Sequence, residues 1–116
     1  MRANDVIHVG ELEIRTSYGL LIAGGRTVTL SVREFELLCA LARQSGRVIS
    51  RDTLYDLVWG GELRAGDRSV DVYVRKLRVK LEQALPHWRF IHTHIGFGYR
   101  FEPELSLPFH KTDTQR

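Results

Sequence analysis

Arg75, Lys76, Arg78 and Lys80 crowd the stretch from Val72 to Leu81, which holds no acidic residue. With no acid inside the run, Lys76 and Lys80 have no carboxylate three or four positions away, and Arg75 and Arg78 have only Asp71 and Glu82 at its two ends, fewer partners than an ordinary salt-bridged helix surface offers, so a merely solvated face is the weaker reading. The chemistry open to them is capture of a polyanion. Lysine and arginine displace counterions from phosphates, and either donates to guanine O6 and N7 in a major groove. Val72, apolar among these cations, fits a thymine methyl. Asp71 would be repelled by phosphate and reads instead as a structural carboxylate near a helix start. The signs of catalysis are few. His92 and His94 share a strand face, but no Asp, Glu or Cys stands at a spacing that completes a familiar metal site. There is no glycine-rich phosphate loop, nucleophile elbow or carboxylate pair in an apolar frame. The expectation is a chain that is not an enzyme and uses no metal or cofactor.

These side chains need a rigid support, and RSVDVYVRKLRVKL (Arg68 to Leu81) supplies one. Val70, Tyr73, Val74, Leu77 and Leu81 recur at the three- and four-residue intervals of one helix face. The opposite side collects Arg68, Val72, Arg75 and Val79, flanked by Asp71, Lys76 and Arg78. Charge is concentrated in the same half of the chain. Residues 64–100 carry eight Lys/Arg against three acids, whereas the segments before and after each come to −1. A local positive field of this kind is the footprint expected of a nucleic-acid binder.

The remaining chain describes what holds that helix. At 116 residues it has the length of one domain. Cys39 is the sole cysteine, which excludes an intramolecular disulfide and cysteine-based zinc sites; its spacing with Phe35, Leu38 and Ala42 makes it a core residue. No signal-peptide pattern or membrane-length apolar run is present, so a cytoplasmic location is expected. IHV, LEIR, YGLLIA and TVTL read as short strands of an antiparallel sheet over about residues 6–30, with Gly19 and Gly24-Gly25 at turns. Ser31 and Glu34 form a capping box that opens a first helix over about 32–44, with Gly46 beyond its end. After a short bridge, GRVI, Ser50 caps a second helix over about 51–59, with Leu54, Leu57 and Val58 inward. Gly60 to Gly66 is an exposed loop, and Asp67 caps the basic helix, about 67–84, which Pro86 bounds. Trp59 and Trp88 are expected to pack. RFIHTH and YRFEP then alternate as two strands around Ile95-Gly96-Phe97-Gly98, a hairpin over about 90–101. Residues 1–103 are read as the domain and 104–116 as a polar, mobile tail.

Three helices followed by a β-hairpin make an α+β winged helix-turn-helix with an N-terminal sheet, a geometry in which the third helix enters the major groove and the hairpin reaches a neighbouring phosphate or the minor groove. TLSVREFELLCAL, GRVISRDTLYDLVWG, RSVDVYVRKLRVKL and IHTHIGFGYRF occur in that order. Together they resemble the OmpR/PhoB-type DNA-binding domains of bacterial two-component response regulators. The resemblance implies transcription control through promoter DNA, usually by two protomers on directly repeated half-sites. It places Arg68, Tyr73, Arg75, Lys76 and Arg78 at phosphate or base contacts, Thr93 at a wing phosphate and Tyr99 at the aromatic after the glycines. With Ser69, Val72 and His94 these complete the candidate DNA-contact set. Ile95 departs from the pattern, since many relatives carry arginine there. Gly61, Glu62, Leu63 and Arg64 fall in the loop that in the family often meets RNA polymerase. No room for a phospho-acceptor receiver domain precedes Val6, so an isolated effector domain or standalone regulator is expected. The alternative is a winged helix used for protein interaction, supported by the apolar Val72, Val79 and Ile95.

Overall fold

The computed structural model describes residues 5–106. Four strands, β1 (Val6–Val9), β2 (Leu12–Arg15), β3 (Leu20–Ala23) and β4 (Arg26–Val28), form an antiparallel meander in sequence order. Alternation makes the sheet two-faced. In β2, Leu12 and Ile14 are buried while Glu13 and Arg15 point away and pair at 2.6 Å. Tyr18, expected to begin a strand, lies instead in a 3-10 turn, Thr16–Tyr18.

Helix α1 (Val32–Ala42) starts on the expected capping box: Glu34 N–H donates to Ser31 Oγ at 3.2 Å, and Ser31 N–H to Glu34 Oε1 at 2.8 Å. Its buried face is wider than one apolar stripe, because Leu37 and Leu41 are fully buried and Phe35 only partly so. Packing against α2, α3 and the C-terminal sheet covers α1 on several sides. Helix α2 (Arg51–Val58) is capped by Ser50, whose Oγ accepts the Thr53 N–H at 3.1 Å. Leu54 and Val58 face inward as expected, but Leu57 is 55% exposed. At about 100° per residue it sits roughly 80° from the midline of Leu54 and Val58, where it edges a groove with Val32 and Phe35.

Helix α3 (Ser69–Ala84) begins two residues after Asp67. Asp67 Oδ1 accepts both the Ser69 N–H (2.9 Å) and the Ser69 hydroxyl (2.6 Å), so it fastens the helix start from just outside the cap position. Val70, Val74, Leu77 and Leu81 are buried. The wing consists of β6 (Trp88–His94) and β7 (Gly98–Leu105), with β5 (Val48–Ile49) added on the far side of β7 in the order β5-β7-β6. The segment GRVI, expected to be a bridge, thus supplies a strand. β7 also runs past Pro103, and Glu104 and Leu105, expected in the tail, pair with Arg89 and Trp88. Proline is tolerated there because Glu102 and Pro103 together oppose Phe90 in a bulge. The Ser106 N–H donates to the His87 carbonyl at 2.7 Å, and the rest of the expected tail, 107–116, lies outside the described residues.

One continuous core joins these parts, from Leu12, Ile14 and Leu21 of the first sheet through Leu37, Leu77 and Phe101. Cys39 is buried within it, and that burial pushes its thiol up. Trp88 stacks on Phe90 and donates from Nε1 to Glu11 at 3.1 Å, clasping the first sheet to the wing.

Candidate nucleic-acid interface

With α3 held by its apolar face, its outer face meets solvent. Arg68, Val72, Arg75, Lys76 and Val79 are exposed there. Arg75 and Lys76 make no ion pair among the described residues, and the Lys76 ammonium rests 4.8 Å from the Tyr73 ring centroid. Tyr73 is half-buried at the rim, edge-on to Trp59, which stacks in turn on Tyr55.

Other candidates are engaged within the protein. Arg78 donates to the Ile91 carbonyl (3.2 and 2.9 Å) and to Thr93 Oγ1 (2.6 Å), so it moors β6 onto α3. Tyr99 is only 4% exposed. Its hydroxyl donates to Asp71 Oδ1 at 2.5 Å, and burial together with Asp71 pushes its phenol up. The ring is packed between the wing and the helices, with its hydroxyl engaged by Asp71. Ser69 directs its hydroxyl to Asp67. Thr93 remains exposed although its oxygen accepts from Arg78. His94 Nε2 accepts from Arg100 Nε at 3.0 Å, and Arg100 also pairs with Glu102.

Asp71 is the centre of this arrangement, in keeping with its reading as a structural carboxylate. It accepts from Arg51 of α2 (2.7 Å), Arg68 at the start of α3 (3.2 Å) and Tyr99 of the wing. Burial alone pushes its carboxyl up, but these donors outweigh burial and hold it below its ordinary value. The Arg51 and Arg78 guanidiniums lie 5.1 and 5.6 Å from the Tyr99 ring centroid, within cation–π reach. Arg51 escaped the sequence reading because its partner stands twenty positions away and belongs to another helix. Lys80 likewise leaves the free basic face. It pairs at 2.7 Å with Glu34, whose carboxyl burial pushes up and Lys80 and Ser31 bring below its ordinary value.

A single glycine sets the wing against the helices. Gly98 has φ 142°, and a Cβ there would stand 2.0 Å from the Ile49 carbonyl oxygen. β5 therefore crosses the wing at a distance only hydrogen permits. The loop before α3 keeps Glu62 and Arg64 exposed and Leu63 partly covered; the Gly61 N–H donates to Asp56 at 2.9 Å. It borders a concavity with Asp52, Asp56 and Leu57. The described residues hold no group of three or more His, Cys, Asp or Glu placed to bind a metal, and no helix long and apolar enough to cross a membrane.

The fold that carries this face recurs in known proteins. Residues 25–101 match the family model described as "Transcriptional regulatory protein, C terminal". The chain belongs to this family. Sensory transduction protein RegX3 of Mycobacterium tuberculosis is 34% identical over 100 residues, 86% of this chain and 44% of that protein. The DNA-binding response regulator MtrA of Mycolicibacterium smegmatis is 34% identical over 99 residues, 85% of this chain and 43% of that protein. The chain thus spans less than half the length of these relatives. Among solved structures, the DNA-binding domain of Klebsiella pneumoniae RstA, in complex with RstA box, superposes with TM-score 0.78 at 33% identity, covering 85% of this chain and 98% of that one. The DNA-binding domain of Escherichia coli CpxR gives 0.77 at 30% identity, covering 84% and 95%. The winged-helix, OmpR/PhoB-type fold expected from the sequence is therefore established, together with its N-terminal sheet.

Proposed function

We propose that this OmpR/PhoB-type domain is a transcription regulator's effector domain that binds double-stranded promoter DNA sequence-specifically, with α3 in the major groove and the wing on the adjoining backbone or minor groove. One observation carries the reading. Arg75 and Lys76 are exposed, have no acidic partner among the described residues, and project from a helix whose other face is locked into the core. Arg68 adds a third cation, its side chain 74% exposed, at the helix start. Val72, 44% exposed beside them, offers apolar contact to a thymine methyl. The structure of the RstA DNA-binding domain in complex with RstA box supports this use of the fold.

Two protomers on directly repeated half-sites, and contact of Gly61, Glu62, Leu63 and Arg64 with RNA polymerase, complete the proposal. The acidic concavity of Asp52, Asp56 and Glu62 beside that loop supports the second contact. A cytoplasmic, two-component setting agrees with the regulators named above. The decisive experiment is duplex-DNA titration at several salt concentrations. Arg75→Ala and Lys76→Ala each weaken binding and make the salt dependence shallower by roughly one unit for each phosphate that is no longer neutralised. Unchanged affinity and slope in both variants would overturn the proposal.

A further inference from the structure

The outer face of α3 is not uniformly basic. Val72 and Val79 are 44% and 46% exposed along it. Seven residues bring an α-helix to within about 20° of two full turns while advancing about 10.5 Å, so the two valines stand in line along the helix. Arg75 falls about 60° to one side of Val72 and Lys76 about 40° to the other. An apolar line thus runs between two exposed cations.

Val79 stands alone at its turn. Arg78 is drawn toward the wing by the Ile91 carbonyl and Thr93, and Lys80 toward α1 by Glu34. Of these three consecutive residues only the valine projects outward. It adds nothing to the core, which Leu77 and Leu81 enter, and Leu, Lys or Arg would serve an exposed helix position better. Glu82, exposed just beyond, would be repelled by phosphate and ends the usable face.

A major groove is complementary to this pattern, with phosphates along both walls and base edges on its floor. Val72, Arg75, Lys76 and Val79 have the i, i+3, i+4, i+7 spacing with which one helix face addresses such a floor, as in homeodomains. An apolar side chain gains there from the thymine 5-methyl. The other groups that base pairs present are mostly donors and acceptors, which a valine would strip of water without replacing the hydrogen bond. Valine is also stiff at χ1 in a helix, so its methyls keep one place. The distance between the two valines matches roughly three base-pair steps of about 3.4 Å.

We propose that Val79 is a specificity-determining residue that packs on a second thymine methyl, one heptad after Val72, so that each half-site carries two thymines about three steps apart. The inference rests on the DNA-binding reading of α3 and deepens it. Neither valine neutralises a phosphate, so neither enters the salt dependence.

The test uses duplexes selected from a random library and trimmed to one half-site. Each thymine is replaced in turn by deoxyuridine, which removes the 5-methyl and keeps the base pair. For the wild-type chain, deoxyuridine weakens binding about fourfold at two positions about three steps apart, with an unchanged salt slope. Val79→Ala weakens binding to the thymine duplex by a similar factor and no longer responds to deoxyuridine at one of those positions. Its retained response at the other shows that the variant is folded and docked. Val72→Ala gives the converse. Deoxyuridine without effect, or Val79→Ala still responding at both positions, overturns the role of Val79. The α3 reading then stays in place where Arg75→Ala or Lys76→Ala weakens binding. If both of those variants bind as the wild type does, or the wild-type chain selects no duplex, both readings fail.

Discussion

Asp71 joins three elements through one carboxylate, with Arg51, Arg68 and Tyr99 converging on its two oxygens. Replacing it by Asn keeps the shape and removes the charge on which the two arginines depend. At pH 7 the variant loses about 1–2 kcal/mol of stability, measured as a shifted urea midpoint. Because the folded-state carboxyl lies below its ordinary value, its contribution is complete above the unfolded-state pKa of about 4. The contribution disappears as pH falls through that range toward the lower folded value. The wild-type and Asp71→Asn midpoints should therefore converge as pH falls below the ordinary carboxylate range; a gap that stays constant with pH would contradict this role. Glu34 is depressed in the same direction by Lys80 and Ser31 and deepens the acid sensitivity. The outward position of Arg75 and Lys76 was legible from periodicity, but that Arg75 is left unpaired was not, since Asp71 four positions before it is taken by Arg51, Arg68 and Tyr99. Nor were the roles of Arg78, Tyr99 and Lys80 legible, because their partners lie 15, 28 and 46 positions away. A helical wheel shows the side of a helix that a residue occupies, but not the segment that folds back to meet it.

Among the elements, the wing depends on the least legible strand. The two residues of β5 have no period to detect, and the bridge reading of GRVI followed from their shortness. Both helix starts capped by Ser31 and Ser50 were readable because the cap is written within four residues. The hairpin was also readable, from alternation around its glycines. The close passage of β5 over Gly98 was not, since only the folded backbone brings Ile49 to that glycine. Gly98→Ala places a methyl against that carbonyl at a left-handed φ, and two strands must separate to admit it. The substitution costs at least about 2 kcal/mol in urea unfolding. It also weakens DNA binding by displacing the arm, although Gly98 itself need touch nothing. Gly96→Ala is the control. Nothing lies within 4 Å of its added methyl, and only its φ of 82° resists the change, so it costs about 1 kcal/mol. Equal costs at the two glycines would count against the crossing.

The molecule as a whole unfolds as one unit if its core is as continuous as the buried residues indicate. Leu12 and Ile14 of the N-terminal sheet share a cluster with Leu77 of α3 and Phe101 of the wing. Trp59 reports on the helical side and Trp88 on the clasp between sheet and wing. Variants retaining one tryptophan each, Trp59→Phe and Trp88→Phe, allow each region to be followed by fluorescence through urea. Within each variant the fluorescence and far-UV circular dichroism transitions should coincide. A Trp88 signal that changes before the helices melt would reveal a separable sheet. The architecture was legible because element order and the charged half of the chain are one-dimensional properties. The moorings between helix and hairpin depend on three-dimensional closure and were not. The Gly98 crossing also has a meaning for exchange between relatives. From Ile95 to Phe97 the tip is a cassette, which can be swapped for another tip sequence without disturbing the scaffold. A graft extending to residue 98 must import its own β5 with it, so the module boundary falls at that glycine.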